Sequence, residues 1–335
     1  IFALTGVALL AGLRSLSSVA SGPQVAALAA FTASMSVVLL SSFDIALTVI
    51  ALETLALAAY ALVALGDSDA ADEAAMKYFV QGALVAGLLV FGVAVAYGVF
   101  GGATDYFAIA SGLRSVPAEL VESGAGGMVM PPLLPAALLA LTCAGSAFFF
   151  KLGAFPLHSW VPDAYQTARP SAAATLSAGP KIAVLAAMIV LLVGLFQGQA
   201  VVWTKLVAGI AVASMVFGNF GALREMSYQR MLGYSGIAQV GYALIGFVGI
   251  ARGPEPILLF AIVYALAVTG AFIAVDAVRE THPAFDGSIQ GLAGLGRERP
   301  WLGAAMSACM LSLTGIPLTA GFWGKFAVFS YAVYS

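Results

Sequence analysis

Charged side chains are scarce in this chain of 335 residues. Lys, Arg, Asp and Glu together make up 9% of the sequence, against about 25% in ordinary soluble domains, and the mean hydropathy is +1.01. A soluble protein of this size could not cover its surface with so few charges. The net charge of −2 also argues against a nucleic-acid partner. These values predict an integral membrane protein that contacts the lipid bilayer.

Residues that hold metals or redox groups are almost absent. The two cysteines, Cys143 and Cys309, lie in separate apolar runs with no second Cys or His nearby, and we interpret both as buried hydrophobes. No cysteine cluster could hold iron–sulfur, and two histidines in loops could hardly hold haem. The stretch GLAGLG at 291–296 has the wrong spacing for a dinucleotide site, and no phosphate loop is present. We therefore expect no metal or cofactor in this chain.

Apolar runs of about 20 residues, the length that crosses a bilayer as a helix, follow one another along the chain. Strands of about ten alternating residues, which would indicate a β-barrel, are not seen. The sequence predicts an all-α polytopic bundle, and helices are expected to be missing from both ends. The windows are a partial span at 1–13 and spans near 23–43, 45–65, 78–100, 131–155, 170–196, 200–222, 231–251, 256–277 and 301–331.

The distribution of Lys and Arg between the connecting segments indicates the orientation, because cytoplasmic loops concentrate basic residues. One set of alternate connections holds eight basic residues, and the opposite set holds two or three. We predict that the richer set is cytoplasmic, together with the acidic stretch at 67–75. The richer set is Arg14, Lys77, Arg169, Arg224, Arg230, Arg279, Arg297 and Arg299, and the poorer set is Arg114, Arg252 and Lys205 near a helix start.

Two apolar segments carry a proline break: LGAFPL at 152–157 and LTGIPL at 313–318. Each proline removes the hydrogen bond to the carbonyl four residues earlier, at Leu152 and at Leu313. In hydrocarbon, such freed backbone groups survive only against protein or a water-filled cavity. Paired breaks in two halves of a chain favour an inverted-repeat transporter whose site lies at the breaks.

Four ionisable residues lie well inside the apolar spans: Glu53, Lys151, Lys181 and Lys325. Each costs roughly 2.5–3.5 kcal/mol to insert, so the four cost about 10 kcal/mol, comparable with the stability of a whole domain. Snorkelling to the interface is the alternative explanation, and we assign it to Lys205 near its helix start. A desolvated lysine loses much of its preference for charge, and an anionic neighbour restores it. These residue types therefore predict a proton relay.

Four further residues are weaker candidates for the relay. His158 follows the first break on the predicted cytoplasmic side, where a proton entrance would lie; a hydrogen-bonded loop histidine is the alternative. Tyr234, Gln239 and Tyr242, with Ser235, form a polar stripe along one helix face. Helix packing through small and polar residues explains such a stripe equally well.

The stretch FKLGAFPLHSWVPDAYQTARPSAAATLSAGPKIAVLAA at 150–187 resembles the proton-channel region of the antiporter-like membrane subunits of respiratory complex I. Supporting stretches are ALETLALAAYALVAL, EAAMKYFVQGALVAGLLVFGVAVAY, GNFGALREMSYQRMLGYSGIAQVGYALIG and MLSLTGIPLTAGFWGKF, so the resemblance runs from about residue 24 to the end. The YQ pair at 165–166 and Lys181, where sister subunits L and M have a histidine, are most similar to subunit N. Two departures are ARPSAA at 168–173 and Gln239, where some relatives have a titratable histidine.

The resemblance implies fourteen helices, of which the fourth to eighth and the ninth to thirteenth form inverted repeats. On that count residues 1–22 are the end of an N-terminal helix and a loop, 23–197 the first five-helix repeat, and 198–335 the second repeat without its last helix. Glu53 becomes the helix-five glutamate. Lys151 and Lys325 become the lysines of broken helices seven and twelve, and Lys181 that of helix eight.

The resemblance also implies the surroundings of the chain. The partners are other complex I membrane subunits, both antiporter-like and small, in a bacterial plasma (inner) membrane that the chain crosses many times. NADH, FMN, iron–sulfur clusters and quinone are expected in partner subunits, so that this chain is a non-redox part of the enzyme. Quinone reduction there would drive proton pumping through Glu53, Lys151, Lys181 and Lys325.

Two other functions are consistent with the sequence. A subunit of a multi-subunit cation/proton antiporter resembles the same family and would exchange Na⁺ against H⁺ without a redox partner. A passive scaffold subunit would use its buried charges only for assembly. Quinone-dependent NADH oxidation by the purified assembly separates the first of these from the proton pump. The scaffold predicts loss of assembly, and not of pumping alone, when a buried charge is removed.

Overall fold

The computed structural model describes residues 22–66, 68–114, 121–122, 128–129, 133–282 and 284–334. The partial span expected at 1–13 and Arg14 lie outside the described residues. Thirteen α-helices and one two-residue antiparallel pairing of Val121–Glu122 (β1) with Met128–Val129 (β2) are found there. The all-α prediction is confirmed.

The helices follow one another with short connections, and 3₁₀ or π turns flank several of them. They are α1 (Gly22–Ser41), α2 (Ile45–Ala64), α3 (Asp69–Val99), α4 (Tyr106–Arg114), α5 (Leu134–Leu152), α6 (Trp160–Thr167), α7 (Pro170–Ile189), α8 (Ala200–Ala222), α9 (Tyr228–Ile245), α10 (Glu255–Thr281), α11 (Leu295–Glu298), α12 (Pro300–Thr314) and α13 (Ala320–Val333).

In the described part of the chain, seven helices are long and apolar enough to cross a membrane: α1, α2, α3, α5, α7, α8 and α10. They match seven of the nine predicted spans, and the other two are those near 231–251 and 301–331. Helix α9 has 18 residues, and polar side chains such as Gln229 and Arg230 lower its hydropathy. The predicted span 301–331 divides into α12 and α13 at the expected break, and neither part is long enough alone. The chain is a multi-span membrane protein, and its division into two repeats stays a prediction.

Residues 69–75 of the acidic stretch are not a loop, as the sequence suggested, but the start of a helix. The side chain of Ser68 accepts a hydrogen bond from the backbone of Ala71 and caps α3, which begins at Asp69. Carboxylates in a first turn are stabilised by the positive end of the helix dipole. A serine cap followed by acidic residues therefore extends α3 well beyond its apolar window.

The predicted cytoplasmic side corresponds to one end of the bundle. The Asp163 carboxylate pairs there with Arg230 and lies 3.7 Å from the Lys77 amine, while Arg169 donates to the Leu65 carbonyl at 3.2 Å. The first two contacts join α3, α6 and α9, and the third joins the end of α2 to the start of α7. Orientation relative to a membrane stays a prediction.

Glycines let two pairs of helices approach closely. A Cβ at Gly92 of α3 would lie 2.7 Å from the Ala144 backbone nitrogen of α5. A Cβ at Gly218 of α8 would lie 2.4 Å from the Ala238 backbone nitrogen of α9. Small residues at such crossings maximise van der Waals contact, which is the main attraction between helices in lipid. At each crossing, one of the two helices, α5 or α9, carries polar side chains into the interior of the bundle.

The two breaks are made by glycine rather than by proline. Gly153 ends α5 with φ 75° and ψ 39°, and Gly315 ends α12 with φ 83° and ψ 41°. This left-handed conformation is a common helix stop that favours glycine. The prolines at 156 and 317 follow the stop, so they prevent continuation of a helix that has already ended. The sequence located both breaks correctly, but the prediction that proline causes them is wrong.

Beyond the first break, Trp160 fixes the chain to the end of α5. Its ring stacks on Tyr78 with centroids 3.9 Å apart and planes 7° apart. Its indole N–H donates to the Phe150 carbonyl at 3.0 Å, in the last turn of α5 where carbonyls lack helical partners. The residue is 3% exposed. The Phe150 carbonyl also accepts the backbone N–H of Gly153 at 2.9 Å, so the indole adds a second donor to a carbonyl at the break.

Trp160→Phe should lower the melting temperature of the purified protein. The phenyl ring keeps part of the stacking on Tyr78 but removes one of the two donors to the Phe150 carbonyl, and loss of one hydrogen bond costs about 0.5–1.5 kcal/mol. Thermal unfolding measures the effect. Trp323→Phe is the matched control, because that indole is 60% exposed. Equal melting temperatures for the two variants would contradict the assignment.

Candidate functional site

Lys181 is the most isolated ionisable group in the described part of the chain. It lies in the interior of α7, directly after Pro180, and is 2% exposed. Its amine has no hydrogen-bond partner among the described residues. The amine lies 5.6 Å from the ring centroid of Tyr165 and 5.5 Å from that of Tyr264, in reach of cation–π attraction. The Lys181 amine is thus placed between two aromatic faces.

Tyr165 and Tyr264 were not among the residues predicted for the site. Tyr165 is fully buried on α6, Tyr264 is 7% exposed on α10, and neither hydroxyl has a hydrogen-bond partner among the described residues. Tyr165 stands out in the sequence only as part of the YQ pair, and a tyrosine in an apolar helix, such as Tyr264, is ordinarily interpreted as a packing residue. Their role follows only from the packing of α6, α7 and α10 around Lys181.

Lys151 lies at the end of α5, half-buried, two residues before the glycine stop. Its amine is 5.6 Å from the centroid of the Tyr60 ring. Glu53 lies on α2 two helical turns before Tyr60, on the same face. No ion pair within 4.0 Å joins Glu53 and Lys151 among the described residues.

Lys325 lies on α13, beyond the second break. Its amine donates hydrogen bonds to the carbonyls of Leu313 at 2.8 Å and Thr314 at 3.1 Å, and it lies 4.5 Å from the Tyr242 ring centroid. The Gln239 amide donates to the same Leu313 carbonyl at 2.6 Å. The carbonyl expected to be free at this break therefore meets two side-chain donors.

A small cavity lies between α9, α10, α12 and α13. Gln239, Tyr264, Leu313 and Lys325 line it. Tyr264 therefore borders two polar sites, since its ring also contacts the Lys181 amine. This tyrosine joins the surroundings of Lys181 to those of Lys325.

The remaining predicted candidates lie apart from the lysines. Tyr234 lies under the Arg230 guanidinium at 5.8 Å from its ring centroid, at the end of the bundle that carries the ion pairs. His158 packs against Phe155 and Phe217, with ring centroids 5.6 and 5.9 Å away. Of the polar stripe, only Gln239 and Tyr242 reach a relay lysine. Tyr234 and His158 stay predictions.

Two other residues complete the account. Lys205 is exposed on α8, as its assignment to the interface requires. Asn219 donates to the Tyr242 hydroxyl at 3.0 Å and so positions that ring beside Lys325. Among the described residues, no cluster of His, Cys, Asp and Glu could hold a metal ion.

Fold and site together define a polytopic membrane protein with two broken segments and a series of amines inside the bundle. A family model described as NADH:quinone oxidoreductase/Mrp antiporter, TM matches residues 42–335. The chain belongs to this family. The resemblance noted in the sequence is confirmed.

Individual relatives narrow the comparison. NADH-quinone oxidoreductase subunit N of Trichlorobacter lovleyi is 40% identical over 306 residues, which cover 90% of this chain and 60% of that protein. In respiratory complex I from Thermus thermophilus with bound aureothin, one chain is 29% identical with a TM-score of 0.77, over 99% of this chain and 69% of that one. A chain of the Mrp complex from Dietzia sp. DQ12-45-1b, 22% identical with a TM-score of 0.80 over 99% of this chain and 59% of that one, shares the fold.

The chain spans less than two thirds of the length of the curated relative described above. The activity, substrates and partners of the whole relative therefore come to this chain only as proposals.

Proposed function

We propose that this chain is a proton-translocating membrane subunit of an NADH-quinone oxidoreductase. Quinone reduction in other subunits supplies the energy, and Glu53, Lys151, Lys181 and Lys325 carry the protons in a bacterial plasma membrane. The chain itself takes part as a non-redox subunit of the enzyme, and NADH, FMN, iron–sulfur clusters and quinone belong to the partners.

The observation that carries this proposal is the placement of Lys181. An amine buried to 2% exposure without a hydrogen-bond partner among the described residues destabilises a fold, and intramembrane ionisable groups are expensive and functional by default. A purely structural lysine would be paired or would reach the interface. Lys151 and Lys325, at the two breaks, give Lys181 a partner group on each side along the bundle.

The mechanism begins with Glu53 and Lys151. When the carboxylate is near, it stabilises the ammonium form of Lys151; when it withdraws, the buried amine gives up its proton. The Lys151 amine lies beside the Tyr60 ring and forms no ion pair within 4.0 Å with Glu53 among the described residues, so the two charges can separate. The proton then passes through Lys181 toward Lys325 and leaves the bundle there.

The cation/proton antiporter is the rival function. The chain of the Mrp complex is 22% identical, which supports a shared fold and no more. The subunit N relative is 40% identical. An assembly purified with this chain should therefore oxidise NADH in a quinone-dependent reaction. Exchange of Na⁺ for H⁺ without any redox activity would favour the antiporter.

The proposal is tested by Glu53→Gln and Lys151→Ala in the reconstituted complex. Both variants should assemble and reduce quinone, but proton uptake into proteoliposomes per NADH oxidised should fall sharply, since each substitution removes one member of the charge pair. Fluorescence quenching of a pH-sensitive dye measures the uptake.

Glu73→Gln is the matched control for the glutamate, because Glu73 is exposed and pairs with Lys77 at the surface. It should pump normally. Undiminished pumping by Lys151→Ala, with normal quinone reduction, would end the proposal. Loss of assembly in place of pumping would favour the scaffold.

A further inference from the structure

The Lys151 amine at the first break has aromatic rings for neighbours. It lies 5.6 Å from the ring centroid of Tyr60 and 5.8 Å from that of Phe150, within reach of cation–π attraction. Among the described residues it takes part in no hydrogen bond and in no ion pair within 4.0 Å, whereas the Lys325 amine at the second break donates to two carbonyls. Phe150 adjoins Lys151 in the chain, so Tyr60 is the neighbour that another helix contributes.

Side chains of α3 hold the Tyr60 ring in place. Tyr78 meets it edge-on, with centroids 4.6 Å apart and planes 89° apart, and Phe79 does so at 5.7 Å and 88°. Edge-to-face pairs are a favoured arrangement of aromatic rings, and Tyr60 is 9% exposed. Tyr78 also stacks on Trp160 of α6. The ring beside Lys151 is therefore fixed by the same aromatic cluster that packs at the first break.

Gly82 of α3 leaves the room that the Tyr60 hydroxyl occupies. A Cβ at Gly82 would overlap this hydroxyl and would lie 2.7 Å from the ring carbon that carries it. Carbon atoms that are not bonded to each other prefer a separation of about 3.5–4.0 Å, so a larger residue at this position has to displace the ring. The hydroxyl end of Tyr60 thus packs directly against α3, and the position of the ring depends on Gly82.

We propose that Tyr60 is a positioning residue for Lys151 and that Gly82 sets the position of Tyr60. The ring face holds the Lys151 ammonium at the first break while no carboxylate is paired with it. This inference deepens the proposed function and rests on it. It adds a third group to the pair of Glu53 and Lys151, and this group acts on the moving proton only through the lysine.

A ring face suits a lysine that has to change partners. It attracts the ammonium but cannot accept its proton, so it holds the charged side chain without competing for the proton. When the amine leaves the ring, no directional hydrogen bond is broken. Glu53 lies on the same face of α2, two turns away, so one helix carries both the strong partner of Lys151 and the weak one.

Tyr60→Leu and Tyr60→Phe test the role of the ring in the assembled complex. Leucine removes the aromatic face, so proton uptake per NADH oxidised should fall by at least about threefold, the low end of what a cation–π contact contributes. Quinone reduction should be retained. Phenylalanine keeps the face and should pump nearly as well as the parent. Tyr97→Leu is the matched control, because Tyr97 of α3 is 50% exposed, and it should pump normally.

Fluorinated phenylalanines at position 60 separate cation–π attraction from packing. Each fluorine withdraws electron density from the ring face and so weakens its attraction for a cation, while the size of the ring changes little. Pumping should fall step by step as one, two and three fluorines are added. The same series at position 97 should pump normally. A role in packing alone predicts one level of pumping for the whole series, and that result would overturn the inference.

Gly82→Ala tests the position of the ring without changing its chemistry. The new methyl group should displace Tyr60 and lower pumping, whereas Gly87→Ala on the same helix should have no effect, since a Cβ there meets nothing within 4 Å. Adding Tyr60→Phe to Gly82→Ala removes the atom that the methyl group overlaps, so the double variant should recover part of the pumping. Equal pumping by Gly82→Ala with and without Tyr60→Phe would contradict the role of Gly82.

The outcomes distinguish this inference from the proposed function. If Lys151→Ala loses pumping while Tyr60→Leu keeps it, the lysine relay stands and the positioning role is wrong. If Lys151→Ala also pumps normally, both fail together. Should Tyr60→Leu not assemble, the fluorinated series decides, because every member of it preserves the ring.

Discussion

Lys181→Ala should abolish proton translocation through this chain while leaving the complex assembled. Removing the side chain takes away the central relay group, and no neighbouring residue on α7 can titrate in its place. The same change removes a buried amine whose insertion costs roughly 2.5–3.5 kcal/mol, so the variant is expected to be at least as stable as the parent. Proton uptake and thermal unfolding of the same preparation measure both effects.

Two further lysine variants sharpen this result. Lys205→Ala removes an exposed lysine from the neighbouring α8 and should pump normally. Lys181→Arg keeps a positive charge, but a guanidinium does not release its proton in proteins, so pumping should stay lost. Recovery of pumping in Lys181→Arg would mean that the site needs a charge and not a transferable proton, which contradicts the relay.

Gly153→Ala should destabilise the protein by about 2–5 kcal/mol. The left-handed backbone at the first break costs a non-glycine residue about 1–2 kcal/mol. The new Cβ would also lie 2.4 Å from a methyl group of Val161, which is fully buried, and overpacking a tight core costs about 1–3 kcal/mol more. Chemical or thermal unfolding of the purified chain measures the sum.

Gly101→Ala separates the two contributions. Gly101 has φ 68°, yet a Cβ there meets nothing within 4 Å, so this variant should lose only the backbone share of about 1–2 kcal/mol. If both alanine variants lose the same stability, the packing of Val161 against the break does not matter. The difference between them isolates the contact that holds α6 beside Lys151.

Much of the fold could be predicted because bilayer thickness fixes the length of an apolar span. That rule located α1, α2, α5, α7, α8 and α10 within a few residues. It failed at the start of α3, where a capped acidic turn extends the helix from Asp69 into the polar region. It also did not distinguish α9, which carries buried polar side chains such as Gln229 and Gln239, from a plain apolar span. Hydropathy averages over a window, and so it does not show which side chains are buried.

The site was predicted in part for a similar reason. Charges in apolar runs are visible in any sequence, so Glu53, Lys151, Lys181 and Lys325 could be identified from their cost alone. What surrounds them could not. Tyr264 and Gly236 lie 83 and 55 residues from Lys181 along the chain, and neither residue type is unusual in a membrane helix. Only the packing of α9 and α10 against α7 brings them to the amine.

The two hydrogen bonds to the Leu313 carbonyl make the bundle sensitive to the protonation of Lys325. Gln239 holds this oxygen from α9 and Lys325 from α13. An ionised donor bonds about twice as strongly as a neutral one. In the proposed pathway, protonation of Lys325 therefore strengthens its hydrogen bond to the backbone at the second break, and deprotonation weakens that bond. The protonation state of Lys325 thereby sets how firmly the backbone is held at the second break, and a subunit in contact with the break would respond to that change.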